Sequence, residues 1–275
     1  MDLLNAIILG IVEGLTEFLP VSSTGHLTIA EKMLGLEIDD KAVTAFTAVI
    51  QIGAIAAVVV FFRADIWRIL RGWCRGLFRP EHRGDFDHRM GWYIIVATIP
   101  VGVVGILAKD LITGPLRSLW VVAVALIGWS VVMWLAERVA TQTRPERDLG
   151  MRDAISIGLA QAVALIPGIS RSGATISVGL FRGLDRVTAT RLSFFMSIPA
   201  LFAAGLYELK DAFSGDIGAG QAIVGIVVAF VVAYASIAWS LRFVANHSIA
   251  WFVPYRLGLG VLLLVLLSSG VLSPT

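Results

Sequence analysis

The chain has 275 residues, 57% of them hydrophobic and 15% charged, with a mean hydropathy of +0.83 and a formal net charge of +2. Soluble domains carry about 25% charged residues, so an ordinary soluble globule is excluded, and the small net charge gives no ground for a nucleic-acid partner. The lone Cys74 excludes a disulfide framework and a cysteine-rich metal site. What remains is an all-α polytopic membrane protein, with the bilayer as its first partner.

The N-terminus, MDLLNAIILG, lacks a basic region and a small-residue cleavage site, so insertion is expected from the mature helices themselves. In chain order, an apolar stretch at 3–19 runs into the polar cluster EGLTEFLPVSSTGH (13–26), and the piece that follows, 25–35, is too short and polar to span. Spans are expected at 43–62, 90–108 and 119–136. Residues 63–89, which separate the first two, read as a solvated loop. A second apolar stretch, 154–168, runs into PGISRSG and a short piece at 173–183. Spans at 188–207, 220–241 and 252–272 complete the chain. Each needs about 20 apolar residues to cross.

Arginine placement orients these pieces. Residues 63–89 carry seven arginines and 137–153 carry four, and the 241–256 loop adds Arg242 and Arg256, so these loops are expected in the cytoplasm. Residues 31–42 and 207–219 are acidic on balance and should face out. If 154–168 crossed fully, Arg182, Arg186 and Arg191 would lie outside and every later loop would be inverted. A stretch that dips in and returns to its own side keeps the rule.

A shift of 148 residues lays 10–26 over 158–174. Gly10 then meets Gly158, Glu13 meets Gln161, Ser22 meets Ser170, Thr24 meets Ser172 and Gly25 meets Gly173. Phe46 meets Phe194 further on, while Pro20 and Pro167 miss by one. Each half holds one re-entrant pair and three spans, an odd number of crossings, so the second copy should be upside down, as in many transporters. The expected architecture is one membrane domain over 1–275, an inverted-topology repeat with six transmembrane helices and two re-entrant helix pairs. The first repeat is 1–147, with its pair at 3–35; the second is 148–275, with its pair at 154–183.

Non-helical backbone at membrane depth is tolerated only where protein buries it or a polar cavity wets it. Symmetry brings PVSSTG and PGISRSG together, and each outgoing half-helix aims free N–H groups and a positive dipole end at the cavity, where anions bind. Ser22, Thr24 and Gly25 in the first motif, and Ser170, Ser172 and Gly173 in the second, are the expected substrate-binding positions. Arg171 adds a permanently charged donor fork suited to phosphate oxygens, and Gln161 supports the site by hydrogen bonds. Glu13 and Glu17 share a helix face at a spacing of four. Two carboxylates in low dielectric call for a cation, and a divalent one, Mg²⁺ or alternatively Ca²⁺, suits oxygen donors and phosphate together. His26 could be an acid/base or a nucleophile, and Ser22, Ser23 or Thr24 could attack phosphorus. Gly10 and Gly14 most simply serve close helix packing.

EGLTEFLPVSSTGH together with PGISRSGATI resembles the undecaprenyl-diphosphate phosphatase family of the bacitracin-resistance type, along the whole chain and without departure in either motif. The resemblance implies hydrolysis of the C55 prenyl diphosphate carrier to its monophosphate and inorganic phosphate. That reaction recycles the lipid for bacterial cell-wall synthesis and confers bacitracin resistance. It implies a divalent cation and a multi-pass protein of the bacterial inner membrane. The family's acidic pair falls on Glu13 and Glu17, its Ser and His on Ser23 and His26, and its phosphate-binding arginine on Arg171. Ser23 is favoured as nucleophile, with His26 as acid/base. The expected site faces the periplasm and opens sideways for a long-chain prenyl diphosphate; a homo-oligomer is compatible with all of this. The rival reading is a lipid-phosphate transporter or flippase using the same midplane anion site, which would not require the acidic, serine and histidine set. A purely structural membrane protein leaves both polar motifs without purpose.

Overall fold

A computed structural model describes residues 1–37, 40–212 and 218–274. It is all-helical, with no strand among the described residues. In chain order the helices are α1 (Leu3–Thr16), α2 (Ser23–Met33), α3 (Lys41–Phe61), α4 (Arg63–Phe78), α5 (Phe86–Leu107), α6 (Lys109–Thr113) and α7 (Leu119–Val139). They continue with α8 (Met151–Val163), α9 (Arg171–Phe181), α10 (Arg186–Ala212), α11 (Ala219–Asn246) and α12 (Val253–Ser268).

Among the described residues, five segments are long and apolar enough to cross a membrane: Ala42–Phe61, Phe86–Leu107, Leu119–Val139, Ala219–Asn246 and Ile249–Ser268. Their exposed leucine, valine, isoleucine and tryptophan side chains form the outward surface of an integral membrane protein. The sixth expected span lies in α10. α10 has 27 residues and carries Arg186 and Arg191 in its first two turns. Thr188, Thr190, Ser193 and Ser197 are all buried in it, and the Thr175 hydroxyl donates to Ser193 Oγ at 2.7 Å. These four buried hydroxyls of α10 are satisfied by protein. Residues 213–217, within the 207–219 stretch expected to face out, lie outside the described residues.

Helices α1 and α8 have 14 and 13 residues, about 21 Å at 1.5 Å per residue, well short of a bilayer core of about 30 Å. Each turns back into a partner of 11 residues, α2 or α9. Glycines set how closely they pack. A Cβ on Gly10 would sit 2.8 Å from Gly225 O of α11, and one on Gly158 would sit 2.7 Å from Ala97 O of α5. The first helix of each half is therefore pressed against a long helix of the other half.

Residues 63–78 form α4, where a solvated loop is expected from their charge. Its sequence, RADIWRILRGWCRGLF, turns Ile66, Ile69 and Trp73 toward α5 and α10, across an apolar cavity of about 280 Å³. Arg63, Arg71 and Arg75 occupy other faces. High charge hid an amphipathic period of 3.6.

At the arginine-rich end, ion pairs tie the loops together. Asp153 is buried and accepts from Arg144 at 2.7 Å and Arg182 at 2.8 Å. Arg186 pairs with Glu137 at 2.8 Å, and Glu137 also takes the Ile249 backbone N–H. Arg191 bridges Asp65 and Glu146, each at 3.3 Å. These arginines do structural work beyond orienting the chain.

Candidate active site

The two polar motifs have the same local structure. Ser22 has φ 79° and caps α2, its Oγ accepting from Gly25 N at 3.4 Å; Ser170 has φ 77° and caps α9, its Oγ accepting from Gly173 N at 3.1 Å. Positive φ at a non-glycine residue costs on the order of 1–3 kcal/mol and persists only where its surroundings enforce it. Here the capping bond enforces it at both positions. Because serine begins each cap, α2 and α9 start two residues earlier than the glycine-led pieces expected from sequence.

The motifs meet tip to tip. Gly168 N donates to Ser22 Oγ at 3.1 Å, and Ser172 Oγ donates to Leu19 O at 2.8 Å. Ser170 and Ser172 hydroxyls lie 3.1 Å apart. Gly168 has φ +98°, and a Cβ there would lie 2.5 Å from Val122 O, so only glycine permits this approach to α7.

Arg256 locks the junction. It is fully buried, and donates to Pro20 O at 3.0 Å in the first turn and to Gly168 O (2.9 Å) and Ile169 O (3.0 Å) in the second. Its Nε donates to Ser130 Oγ of α7 at 3.1 Å. The sequence reading of Arg256 as a loop charge that sets topology is corrected: it sits inside α12 and satisfies the carbonyls of both broken helices.

The chemistry gathers on Glu17. One of its oxygens accepts from Ser23 Oγ and the other pairs with Arg171 Nη2, so one carboxylate joins both motifs. Glu13, one helical turn earlier, is buried, and its Oε1 has no hydrogen-bond partner. Glu13, Ser23 and Thr24 line a polar cavity of about 190 Å³, whose other wall includes Thr44, Thr47 and Gln51 of α3 and Arg117 before α7. Glu31 and Thr28 of α2 complete it.

His26 is placed differently. Its Nδ1 lies 2.7 Å from Ser22 O and its Nε2 lies 2.6 Å from the Tyr255 hydroxyl, with the two rings stacked at 5.6 Å. A carbonyl only accepts, so Nδ1 carries the proton, and neutral Nε2 accepts from Tyr255. His26 is not among the residues lining the cavity. Gln161 is directed at α5, its amide donating to Ala97 O at 3.0 Å with Oε1 buried and unpartnered. Gly25 and Gly173 give their amides to the serine caps.

Residues 6–262 match the family model described as "Bacitracin resistance protein BacA". The chain is 58% identical over 270 residues to "Undecaprenyl-diphosphatase 1" of Frankia alni, covering 98% of this chain and 97% of that protein. It is 58% identical over 269 residues to "Undecaprenyl-diphosphatase 1" of Streptomyces coelicolor, with 98% and 97% covered. It is 55% identical over 283 residues to "Undecaprenyl-diphosphatase" of Cutibacterium acnes, with 99% and 100% covered. The chain belongs to the BacA family.

In this BacA-family chain, Glu13, Glu17, Ser23 and Arg171 come together as the sequence motifs suggest, while Gln161 and His26 face away from the polar cavity. Sequence reasoning missed Arg256, Tyr255, Glu31 and Arg117. For the first two a signal was present, because PYR at 254–256 falls within the last expected span, where a buried arginine marks function or structure. Arg117 and Glu31 gave none; their pairing at 3.7 Å joins residues far apart in the chain.

Proposed function

We propose that the protein hydrolyses undecaprenyl diphosphate to undecaprenyl phosphate and inorganic phosphate, and that it thereby recycles the lipid carrier and confers bacitracin resistance. The observation that carries this reading is Glu17, held by the Ser23 hydroxyl on one side and Arg171 on the other, beside a polar cavity. The relatives' names supply the substrate. A carrier needs an anion cradle, but it has no use for a serine hydroxyl bonded to a carboxylate.

In the proposed reaction Ser23 Oγ attacks the terminal phosphorus while Glu17 takes its proton. The bond to the bridging oxygen breaks and lipid monophosphate leaves with that electron pair. The departing lipid monophosphate takes the proton from Glu17. Water, deprotonated by the regenerated carboxylate, then attacks the phosphoserine, and Glu17 returns that proton to Ser23 Oγ as the P–O bond breaks and phosphate leaves. Arg171 fixes the position of Glu17 through their ion pair, and its remaining donors suit the phosphoryl oxygens. His26, anchored by Ser22 O and Tyr255, positions α2 against α12.

A divalent cation, Mg²⁺ by the oxygen chemistry, fits Glu13, whose Oε1 is a buried carboxylate oxygen with no donor of its own. When bound it supplies charge neutralisation for the diphosphate. Glu17, the other carboxylate expected to hold it, already has both oxygens engaged.

The repeat is proposed to be inverted, with α1–α2 and α8–α9 re-entrant from opposite faces and α10 as the sixth span. The twin serine caps, the short α1 and α8 and the arginine placement support this. The cavity is proposed to open to the periplasmic side of the inner membrane, since it adjoins the end of α2 that leads into the acidic stretch 31–42 and not the arginine-rich face.

The test is phosphate release from a long-chain prenyl diphosphate by purified protein in detergent, with Mg²⁺ or EDTA, and with Glu17→Gln and Arg171→Ala. Activity lost in all three cases supports the reading. Folded wild-type protein that releases no phosphate would put the carrier reading first, because transport has no meaning without a membrane. For sidedness, a membrane-impermeant phosphatase inhibitor should act on right-side-out vesicles; action confined to inverted vesicles would refute the periplasmic site.

A further inference from the structure

The polar cavity presents two carboxylates, each with one buried oxygen that no hydrogen-bond donor reaches. Glu13 Oε1 and Glu31 Oε2 are buried without a hydrogen-bond partner, each in a residue only 1% exposed, and both residues line the same cavity. They lie on opposite arms of one hairpin, Glu13 on α1 and Glu31 on α2. Side chains lean toward the N-terminus of their own helix. Along α1 that direction is away from the turn, and along α2 it is toward the turn, so the two carboxylates lean toward each other.

Charge balance gives the same result. Lining the cavity are Glu13 and Glu31 against Arg117. Arg171 is taken by Glu17. Arg117 gives its Nη1 to Thr44 Oγ1 at 2.8 Å and approaches Glu31 only to 3.7 Å. One negative charge is left over, and Glu13 has no cationic partner in hydrogen-bond reach. A buried carboxylate in that position needs a cation or a proton. Gln51, on the facing helix α3, adds a neutral oxygen of the kind hard cations accept.

We infer that Glu31 is the second carboxylate of the divalent-cation site, so that the cation is held between Glu13 and Glu31 on the outer wall of the cavity, with Glu17 reserved for Ser23 and Arg171. This rests on the metal-dependent reading above but assigns a residue that the sequence motifs do not contain. It also separates two roles, charge neutralisation at Glu13 and Glu31 and proton transfer at Glu17.

The test is Mn²⁺ binding to the purified full chain in detergent without substrate, followed by loss of the free-ion electron paramagnetic resonance signal. Glu13→Gln and Glu31→Gln should each weaken Mn²⁺ binding about ten-fold or more, while Glu17→Gln should leave it within about two-fold. Gln51→Glu places a third carboxylate on the cavity and should tighten binding by a similar factor, a gain that misfolding does not produce. Binding that is lost in Glu17→Gln but intact in Glu31→Gln would overturn the assignment. So would an unchanged affinity in Gln51→Glu together with unchanged affinity in Glu31→Gln. A wild-type chain that binds no Mn²⁺ overturns the site as well, and phosphate release sensitive to EDTA would then show the metal-dependent reading surviving without it.

Discussion

Arg256→Met removes a buried side chain that donates to the backbone carbonyls of both motif turns. Methionine keeps much of the volume but donates nothing. Pro20 O, Gly168 O and Ile169 O would then be buried in non-helical backbone without the donor they now share. Each such carbonyl costs about 1–3 kcal/mol, and water entering the vacated polar space recovers part of that. The net loss should be about 3–5 kcal/mol. For a chain of this size that lowers the melting temperature by about 6–20 °C, taking about 2–4 °C per kcal/mol. Arg256→Lys should fall between, because a compact ammonium cannot span two turns as the guanidinium fork does. The assay is a thermal scan in one detergent at one scan rate, since unfolding of such proteins is commonly irreversible. Phosphate release at low temperature should be read in parallel. A methionine variant that melts within about 2 °C of the parent yet releases no phosphate would refute the reasoning, because Arg256 would then be acting on the substrate and not on the turns.

Acid-quenched protein after brief exposure to a prenyl diphosphate should carry phosphate on Ser23, detected by mass spectrometry. Phosphate on His26, whose ring nitrogens contact Ser22 O and Tyr255, would contradict the assignment. At the arginine-rich face, burial pushes the Asp153 carboxyl up, but hydrogen bonds from Arg144, Arg182 and the Gly150 amide outweigh it and hold the carboxyl below its ordinary value. A depressed carboxyl stabilises the fold above its unfolded pKa of about 4 and loses that contribution as pH falls through the folded value. Asp153→Asn should therefore melt below the parent at neutral pH, and the gap should close in acid; a gap constant down to pH of about 3 would exclude the ion pair as its source. A Cβ at Gly14 would sit 2.8 Å from Ala229 O and Ala233 N of α11, whereas nothing lies within 4 Å of one at Gly102. Gly14→Ala should cost about 1–3 kcal/mol by overpacking and Gly102→Ala should cost nothing measurable in the same thermal scan.

What the chain determined by itself follows from local physics. Apolar length placed five membrane helices, and the spacing of Glu13 and Glu17 put two carboxylates on one face. Serine before glycine capped α2 and α9 in two copies 148 residues apart, so the twin turns were legible before any packing was known. The helical period inside 63–78 was legible too, but seven arginines over 63–89 outweighed it in the reading. Only the tertiary structure decided which groups share a partner. Glu17 meets Arg171 across 154 residues, and Arg256 meets Pro20 across 236. The direction of His26 and Gln161 also came from neighbours, Tyr255 on α12 and Ala97 on α5. A side chain's own sequence neighbourhood fixes the helix it rides on and the face it occupies. Whether that face meets a cavity, a carbonyl or another charge depends on helices that the chain reaches much later, and in a bilayer core each of those polar meetings must be satisfied by protein.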